Sequence, residues 1–412
     1  MARYQSLLEG FLKQKHEWAM NGQEPDTVTW EMRYCLEEQE KRLRRKGLTL
    51  DERHEFREGD IVSNLKRGNG LAPIRNYTAY RETRRFREFS SSGRTLYKDS
   101  LPVIVYANVT DRDGVRDYPV NCPNCGGVTM ASELMQGCPY CGTYFVMSDL
   151  FPRVNSYYAV EQPMDRYKAD ERLKKTFGTI GAVLAAIGFA LYMWQGKDYV
   201  LWFRILYSAF FGGFLAAILT LVCYLAYSGF LLLKLFGMAG KSLAMLPSIS
   251  GRKKLAQKME ELEPGFSMEM FEGRILSKLQ TVLFSDDRDS LNLYEGIDDL
   301  SRFDDLVNMD YRGAFNLKHF SVSGGRVCLE LEFFTENWYM KQNRLRHRNE
   351  RMEVTVERSA GAVQDPGFTA TAVQCPGCGR SFDAMHKKEC PYCGNTYRLG
   401  ENDWLITGIR KR

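Results

Sequence analysis

Two stretches without a charged residue interrupt an otherwise mixed pattern: 19 residues at 177–195 and 29 at 205–233. A helix needs about 20 apolar residues to cross the hydrocarbon of a bilayer. The pattern therefore predicts a hairpin of two membrane-spanning helices, the second long enough to tilt. The first begins 176 residues in, which argues against a signal peptide. Elsewhere the apolar positions are periodic. Leu7, Leu8, Phe11, Leu12 and Trp18 mark one helical face within 2–20. Trp30, Tyr34 and Leu43 mark another within 27–46, with Arg42, Arg44, Arg45 and Lys46 at the end that the helix dipole favours. Residues 82–94 are basic and serine-rich and read as a loop, 101–106 as a strand and 111–114 as a turn. Beyond the apolar stretch, Ser267 suits a helix N-cap, followed by the stripe Phe271, Ile275, Leu279, Val282 and Leu283. A short acidic helix is expected at 300–308. Strands at 315–323 and 326–334 meet through Gly324-Gly325. In the second of these, Val327, Leu329, Leu331 and Phe333 alternate with Cys328, Glu330 and Glu332. Met352, Val354 and Val356 repeat the alternation, and 368–373 and 404–409 read as further strands.

Charge orients the hairpin. Arg166, Lys168, Arg172, Lys174 and Lys175 precede it, and Lys234, Lys241, Arg252, Lys253, Lys254 and Lys258 follow, whereas the link 196–204 carries only Lys197 and Arg204 against Asp198. The positive-inside rule then places both termini in the cytoplasm. Gly181, Ala185, Gly213 and Ala217 stand at a spacing that lets helices approach closely. Neither run contains an acidic residue, which argues against an ion or proton pathway. The net charge of +5, from 56 Lys+Arg against 51 Asp+Glu, is too mild to imply nucleic acid as a partner.

Eight of the eleven cysteines fall in two copies of one motif: Cys122-Pro-Asn-Cys125-Gly with Cys138-Pro-Tyr-Cys141-Gly, and Cys375-Pro-Gly-Cys378-Gly with Cys390-Pro-Tyr-Cys393-Gly. Each CxxC turns two thiolates toward one metal, and the following glycine permits positive φ. Two such knuckles complete a closed, four-thiolate zinc site, which is structural in kind. Two zinc ions are therefore expected. A thioredoxin-like motif would need a βαβ context, and disulfides an oxidising compartment. His386 is expected to be an exposed loop residue and not a ligand. Cys35, Cys223 and Cys328 are expected as small apolar packers.

The order of a membrane segment, a basic stretch, the entry Glu263-Pro264-Gly265-Phe266-Ser267, an amphipathic helix with Phe271, and strands ending at Asp403-Trp404-Leu405-Ile406 resembles bacterial members of the family named for subunit forty-four of the mitochondrial inner-membrane translocase. The resemblance covers residues 234–412. It implies a nuclear transport factor two (cystatin-like) fold and a membrane-tethered domain that binds lipid or protein. In mitochondria such a domain helps to recruit the import motor to a translocation channel. The two-helix anchor and the zinc hairpin inside the sheet domain depart from that family.

The expected fold class is α+β. Residues 1–100 form a helical region, 101–165 a β region with the first zinc ribbon, and 177–233 a transmembrane hairpin. A basic juxtamembrane linker follows at 234–262, then a Tim-forty-four-like domain at 263–412 with the second ribbon inserted at 375–393. The expected function is that of a non-enzymatic, multi-pass cell-membrane adaptor whose partners are the lipid bilayer, a protein and anionic lipid. Two alternatives are a membrane-tethered enzyme using a pocket of the cystatin-like domain, with His319 as base beside Asp310 and Tyr311, and nucleic-acid binding by the ribbons.

Overall fold

The chain lays down the same order of elements twice, once on each side of its apolar stretch. In the computed structural model the described residues are 2–23, 25, 27–56, 66–67, 74–112, 119–122, 125, 127–134, 137–142, 153–162, 166–242, 246–362 and 373–411. They divide into one unit made of Met1–Gln162 with Pro247–Arg412 and a second made of Pro163–Leu246.

In the first unit the N-terminal half runs α1 (Ala2–Asn21), α2 (Trp30–Arg45), β1 (Thr49–Glu55), β2 (Lys66–Arg67), β3 (Ile74–Ser91) and β4 (Arg94–Arg112). A zinc-ribbon segment with β5 (Pro119–Asn121), β6 (Val128–Met130) and the single turn α3 (Ala131–Leu134) precedes β7 (Arg153–Glu161). The antiparallel sheet has the order β1-β3-β4-β7, with β2 also on β3. The C-terminal half runs α6 (Leu246–Leu262), α7 (Met268–Phe284), β8 (Leu306–Ser323), β9 (Arg326–Lys341) and β10 (Arg344–Ser359). The second ribbon carries β11 (Val373–Gln374) and β12 (Ser381–Phe382), and β13 (Leu405–Lys411) closes the sheet in the order β13-β10-β9-β8. In both halves two helices precede three meandering strands, and a ribbon lengthens the connection to a fourth.

Local chemistry builds both copies alike. Thr29 and Ser267 cap α2 and α7, each hydroxyl accepting an N–H from a methionine, Met32 or Met270, at 3.3 Å. The hairpins β3–β4, β8–β9 and β9–β10 turn through Ser92-Gly93, Gly324-Gly325 and Gln342-Asn343, all six residues at positive φ, as two-residue turns between twisted strands require. The expected stripe of α7 is fully buried against Leu329, Leu331, Phe333, Val354 and Val356. In the first half Leu8, Phe11, Leu12, Met32 and Leu36 pack on Val103, Val105, Val109 and Val154.

Several expectations are corrected. Residues 82–91 belong to β3, not to a loop: Thr83, Arg85, Arg87 and Phe89 face inward, and only Ser92-Gly93 turns. The arginines are inside because carboxylates of both halves supply their counter-charges. Arg87 bridges Glu52 at 2.8 Å and Asp310 at 2.7 Å, Arg85 reaches Glu161 at 3.0 Å, and the Trp338 indole donates to Asp310 at 3.1 Å. Burial opposes ionisation of Asp310, but the Arg87 and Arg85 guanidinium groups prevail and hold its carboxyl down at about 2. Phe89 stacks on Trp338 at 5.0 Å beside this network. Arg42, expected at a solvated helix end, is buried and donates to the carbonyls of Phe303 (2.8 Å) and Ser285 (3.0 Å), so α2 completes the end of α7. The acidic segment 300–308 forms only a single 3-10 turn, Ser301–Phe303, before β8 begins at Leu306. Glu332 keeps the face opposite Leu331 and Phe333 but is buried there, its carboxylate met by Asn316 (2.8 Å) and Lys318 (3.2 Å). Of the expected strand 368–373 only Val373 lies within the described residues, in β11.

The second unit is a helical hairpin of α4 (Arg166–Gln195) and α5 (Leu201–Ser242). Within it, Lys175–Gln195 and Leu201–Tyr227 are long and apolar enough to cross a membrane. Ile187, Leu206, Phe210, Phe214 and Leu225 are all exposed, so these are not the buried core helices of a soluble fold. The helices approach most closely at Gly188 and Gly212, where a Cβ on Gly212 would fall 2.6 Å from the Phe189 nitrogen. The expected seam is therefore shifted: Gly181 faces Thr220, and Gly213 faces open space. Arg204 ties the link together by donating to the Met193 carbonyl at 2.6 Å.

Candidate metal centres

Each ribbon brings its four cysteine sulfurs within 4.8 Å of one another: Cys122, Cys125, Cys138 and Cys141 in the first, Cys375, Cys378, Cys390 and Cys393 in the second. The closest cross-knuckle pairs are 3.8 Å (Cys122–Cys141) and 3.7 Å (Cys125–Cys138), then 3.6 Å (Cys375–Cys393) and 3.7 Å (Cys378–Cys390). Four sulfurs about 2.3 Å from a central zinc stand about 3.8 Å apart at the corners of a tetrahedron. A disulfide would need about 2.05 Å. The donor set therefore fits zinc, and each cluster is able to bind one ion. Bound there, zinc would cross-link the two knuckles and leave no position for a substrate.

The backbone explains the motif. The amides of Gly142, Gly379 and Gly394 return to the carbonyls of Cys138, Cys375 and Cys390 at 2.8–2.9 Å. All three glycines adopt φ of 70–73°, as the knuckle demands. Gly126, the fourth, lies outside the described residues. In every knuckle the first cysteine is buried and the second exposed. Burial opposes ionisation of Cys375, yet the amides of Cys378 and Gly377 aimed at its sulfur bring the thiol down to about 7.

The two centres differ in what they hold. The first ribbon has its own small cluster, Cys122, Leu134 and Cys138. The second belongs to the main core: Cys375 and Cys390 pack with Val373, Phe382, Met385 and Leu399 among the residues of α7 and its sheet. Asn292 fastens it there, donating from its backbone to Met385 (2.8 Å) and from its side chain to Ala384 (2.9 Å). Asn292 stands outside every motif, and no spacing points to it.

The remaining candidates fall in different places. His386 is not an exposed loop residue: it is half-buried, with Nδ1 2.6 Å from Asp383 and its ring edge-on to Tyr34 at 4.4 Å. His319 lies exposed on β8, opposite Glu330, nine residues along the strand from Asp310, so the two do not form a pair. Tyr311 donates instead to buried Glu272, which pairs with Arg252 at 2.9 Å. Cys35 is buried, and burial pushes its thiol up to about 11; Cys328 is half-buried, and Cys223 is exposed on α5, not packed.

The family-like positions converge. Glu263 pairs with Arg358 at 2.5 Å, the Arg358 guanidinium lies 4.7 Å over the Trp404 ring, and Phe271 meets Trp404 edge-on at 5.2 Å. Asp403 takes Lys278 at 2.8 Å and Arg274 at 3.5 Å. All are buried, so these positions close the fold. No family model matches the chain, and searches of curated proteins and of solved structures give no match.

Proposed function

We propose that this protein is a non-catalytic, membrane-anchored binding protein: a unit stapled by two structural zinc ions, held at the inner face of a bacterial cell membrane to bind a partner protein or lipid. The observation that carries the proposal is the pairing, in one chain, of an exposed apolar helical hairpin with two closed four-thiolate clusters. The hairpin suits a tether because its spans carry no acidic residue. The cations flanking it favour cytoplasmic termini. The likeness to the Tim-forty-four family belongs to this proposal too. It is supported by the packing of Glu263 and Trp404 on Arg358 and of Phe271 on Trp404, and it brings a role linked to protein translocation or membrane assembly.

Crosslinking in native membranes, followed by identification of what is captured, tests the binding role. A stoichiometric protein or lipid adduct is expected, and recovery of neither would remove the reading. A reporter fused after Arg412 tests the topology, which an external signal would overturn.

A further inference from the structure

At the tip of the β9–β10 hairpin, remote from both cysteine clusters in sequence, lies a cavity of about 410 Å³. Its cations are Arg302, Lys341, Arg344, Arg346, Arg348 and Lys411. Among the described residues two carboxylates join them, Asp305 and Glu350. Both are already engaged: Asp305 by Lys46 at 2.5 Å, and Glu350 by Lys411, the Asn337 amide (2.8 Å) and the Tyr339 hydroxyl (2.6 Å). No carboxylate pairs with Lys341, Arg344, Arg346 or Arg348 among the described residues. This pocket thus gathers six cations in a chain whose net charge is +5.

Strand geometry makes the concentration specific. Arg344, Arg346 and Arg348 alternate, so they share one face of β10, opposite Lys341, Tyr339 and Asn337 of β9. The other face carries Leu345 and His347, with the His347 ring stacked on Trp338 at 4.5 Å. The hairpin is therefore anchored on one side and presents three guanidinium forks on the other, spaced about 7 Å apart. Like charges so placed repel unless an anion lies between them. Arginine forks match phosphate oxygens two at a time, and the cavity has the size of a small-molecule site.

We propose that this cavity binds a ligand bearing phosphate groups, held by Arg344, Arg346 and Arg348 with Lys341 and Arg302 beside them. A free ligand would stand apart from the adaptor reading, since it requires neither the hairpin nor a partner, whereas a lipid headgroup rests on that reading's lipid binding and names its chemistry. The ligand's source is either a free phosphorylated small molecule or the headgroup of a lipid.

The test uses the full chain in nanodiscs of neutral phosphatidylcholine, titrated calorimetrically at low salt with tripolyphosphate and, separately, with water-soluble dioctanoyl phosphatidic acid. Saturable binding of one equivalent of either probe is expected. Arg346→Gln should weaken it about tenfold, the scale of one charge-assisted hydrogen bond. The triple variant R344Q/R346Q/R348Q should abolish it, while the triple lysine variant, which keeps the charge but loses the forks, should fall between. Lys387→Gln with Lys388→Gln, exposed cations elsewhere, should change nothing. Preference for tripolyphosphate would identify a free metabolite, and preference for the lipid a headgroup. The proposal fails if neither probe binds, if the triple glutamine variant binds like the parent while keeping its circular dichroism, if the Lys387 and Lys388 changes weaken binding as much, or if polyglutamate binds in place of both probes.

Discussion

The two ribbons carry the same ligands but different burdens, and equivalent substitutions should expose this. Consider Cys125→Ser and Cys378→Ser, each removing the exposed second cysteine of a first knuckle. Each should cost one zinc. At the second site a bound zinc would hold Val373, Phe382, Met385, Tyr397 and Leu399 in the main core. Five large side chains at about 2 kcal/mol each amount to about 10 kcal/mol of burial. A domain's whole stability is about 5–15 kcal/mol. Cys378→Ser should therefore unfold the unit, or leave it molten at 37 °C. At the first site the other buried apolar side chain of the cluster, among the described residues, is Leu134, worth about 2 kcal/mol, so Cys125→Ser should melt the ribbon and leave both sheets intact. The assay is thermal melting of the full chain in detergent, followed by tryptophan emission, which reports on buried Trp338 and Trp404, with hydrogen exchange to localise the loss. Cys125→Ser should keep the parent's main transition and lose protection only around 119–142. Equal loss of melting temperature in the two variants, or an unchanged transition in Cys378→Ser, would refute the reasoning.

Asp310→Asn leaves Arg87 and Arg85 with one carboxylate fewer inside the unit and should cost about 3–5 kcal/mol, read from denaturant midpoints. The pH dependence has a definite sign: with its folded value at about 2 and an ordinary value near 3.8, the Asp310 carboxyl stabilises above pH 4, and about 2 kcal/mol is lost as the pH falls from about 4 to 2. The difference in stability between the parent and Asp310→Asn should shrink over that window, and a constant difference would show that Asp310 is not the titrating group. Gly212→Leu should separate the hairpin helices, because its Cβ alone would sit 2.6 Å from the Phe189 backbone. Oxidative crosslinking of Gly181→Cys to Thr220→Cys, efficient in the parent, should then be lost, and its retention would contradict the observed crossing. His386→Ala should leave the zinc content at two per chain, measured by metal analysis, since its ring serves Tyr34 and Asp383.

What was legible in the sequence was whatever is decided within a few residues. The cysteine knuckles follow from spacing and glycine φ, the α7 cap from Ser267, the Gly324-Gly325 turn from its composition, and the apolar hairpin from run length. The alternation Arg344-Leu-Arg346-His-Arg348 was equally readable, though only the fold shows that a cavity lies over its charged face. Other features depended on residues far apart in the chain. Residues 82–94 read as a loop because the inward positions among them include Arg85 and Arg87, which are neutralised by Glu52 and Glu161 and by Asp310, more than 200 residues away. Charge burial is a pairwise property, so one partner's sequence does not reveal it. For the same reason the repeat appeared at first to be confined to cysteines. The shared order of helices, strands and ribbon is carried by hydrogen bonding and packing, which different side chains satisfy equally well. The sequence alone determined two four-cysteine clusters able to bind zinc and an apolar helical hairpin. The tertiary structure decided that the chain on either side of the hairpin closes into one unit, that a buried ion pair of Arg87 with Asp310 joins its halves, and that, among the described residues, the second ribbon and not the first is part of its core.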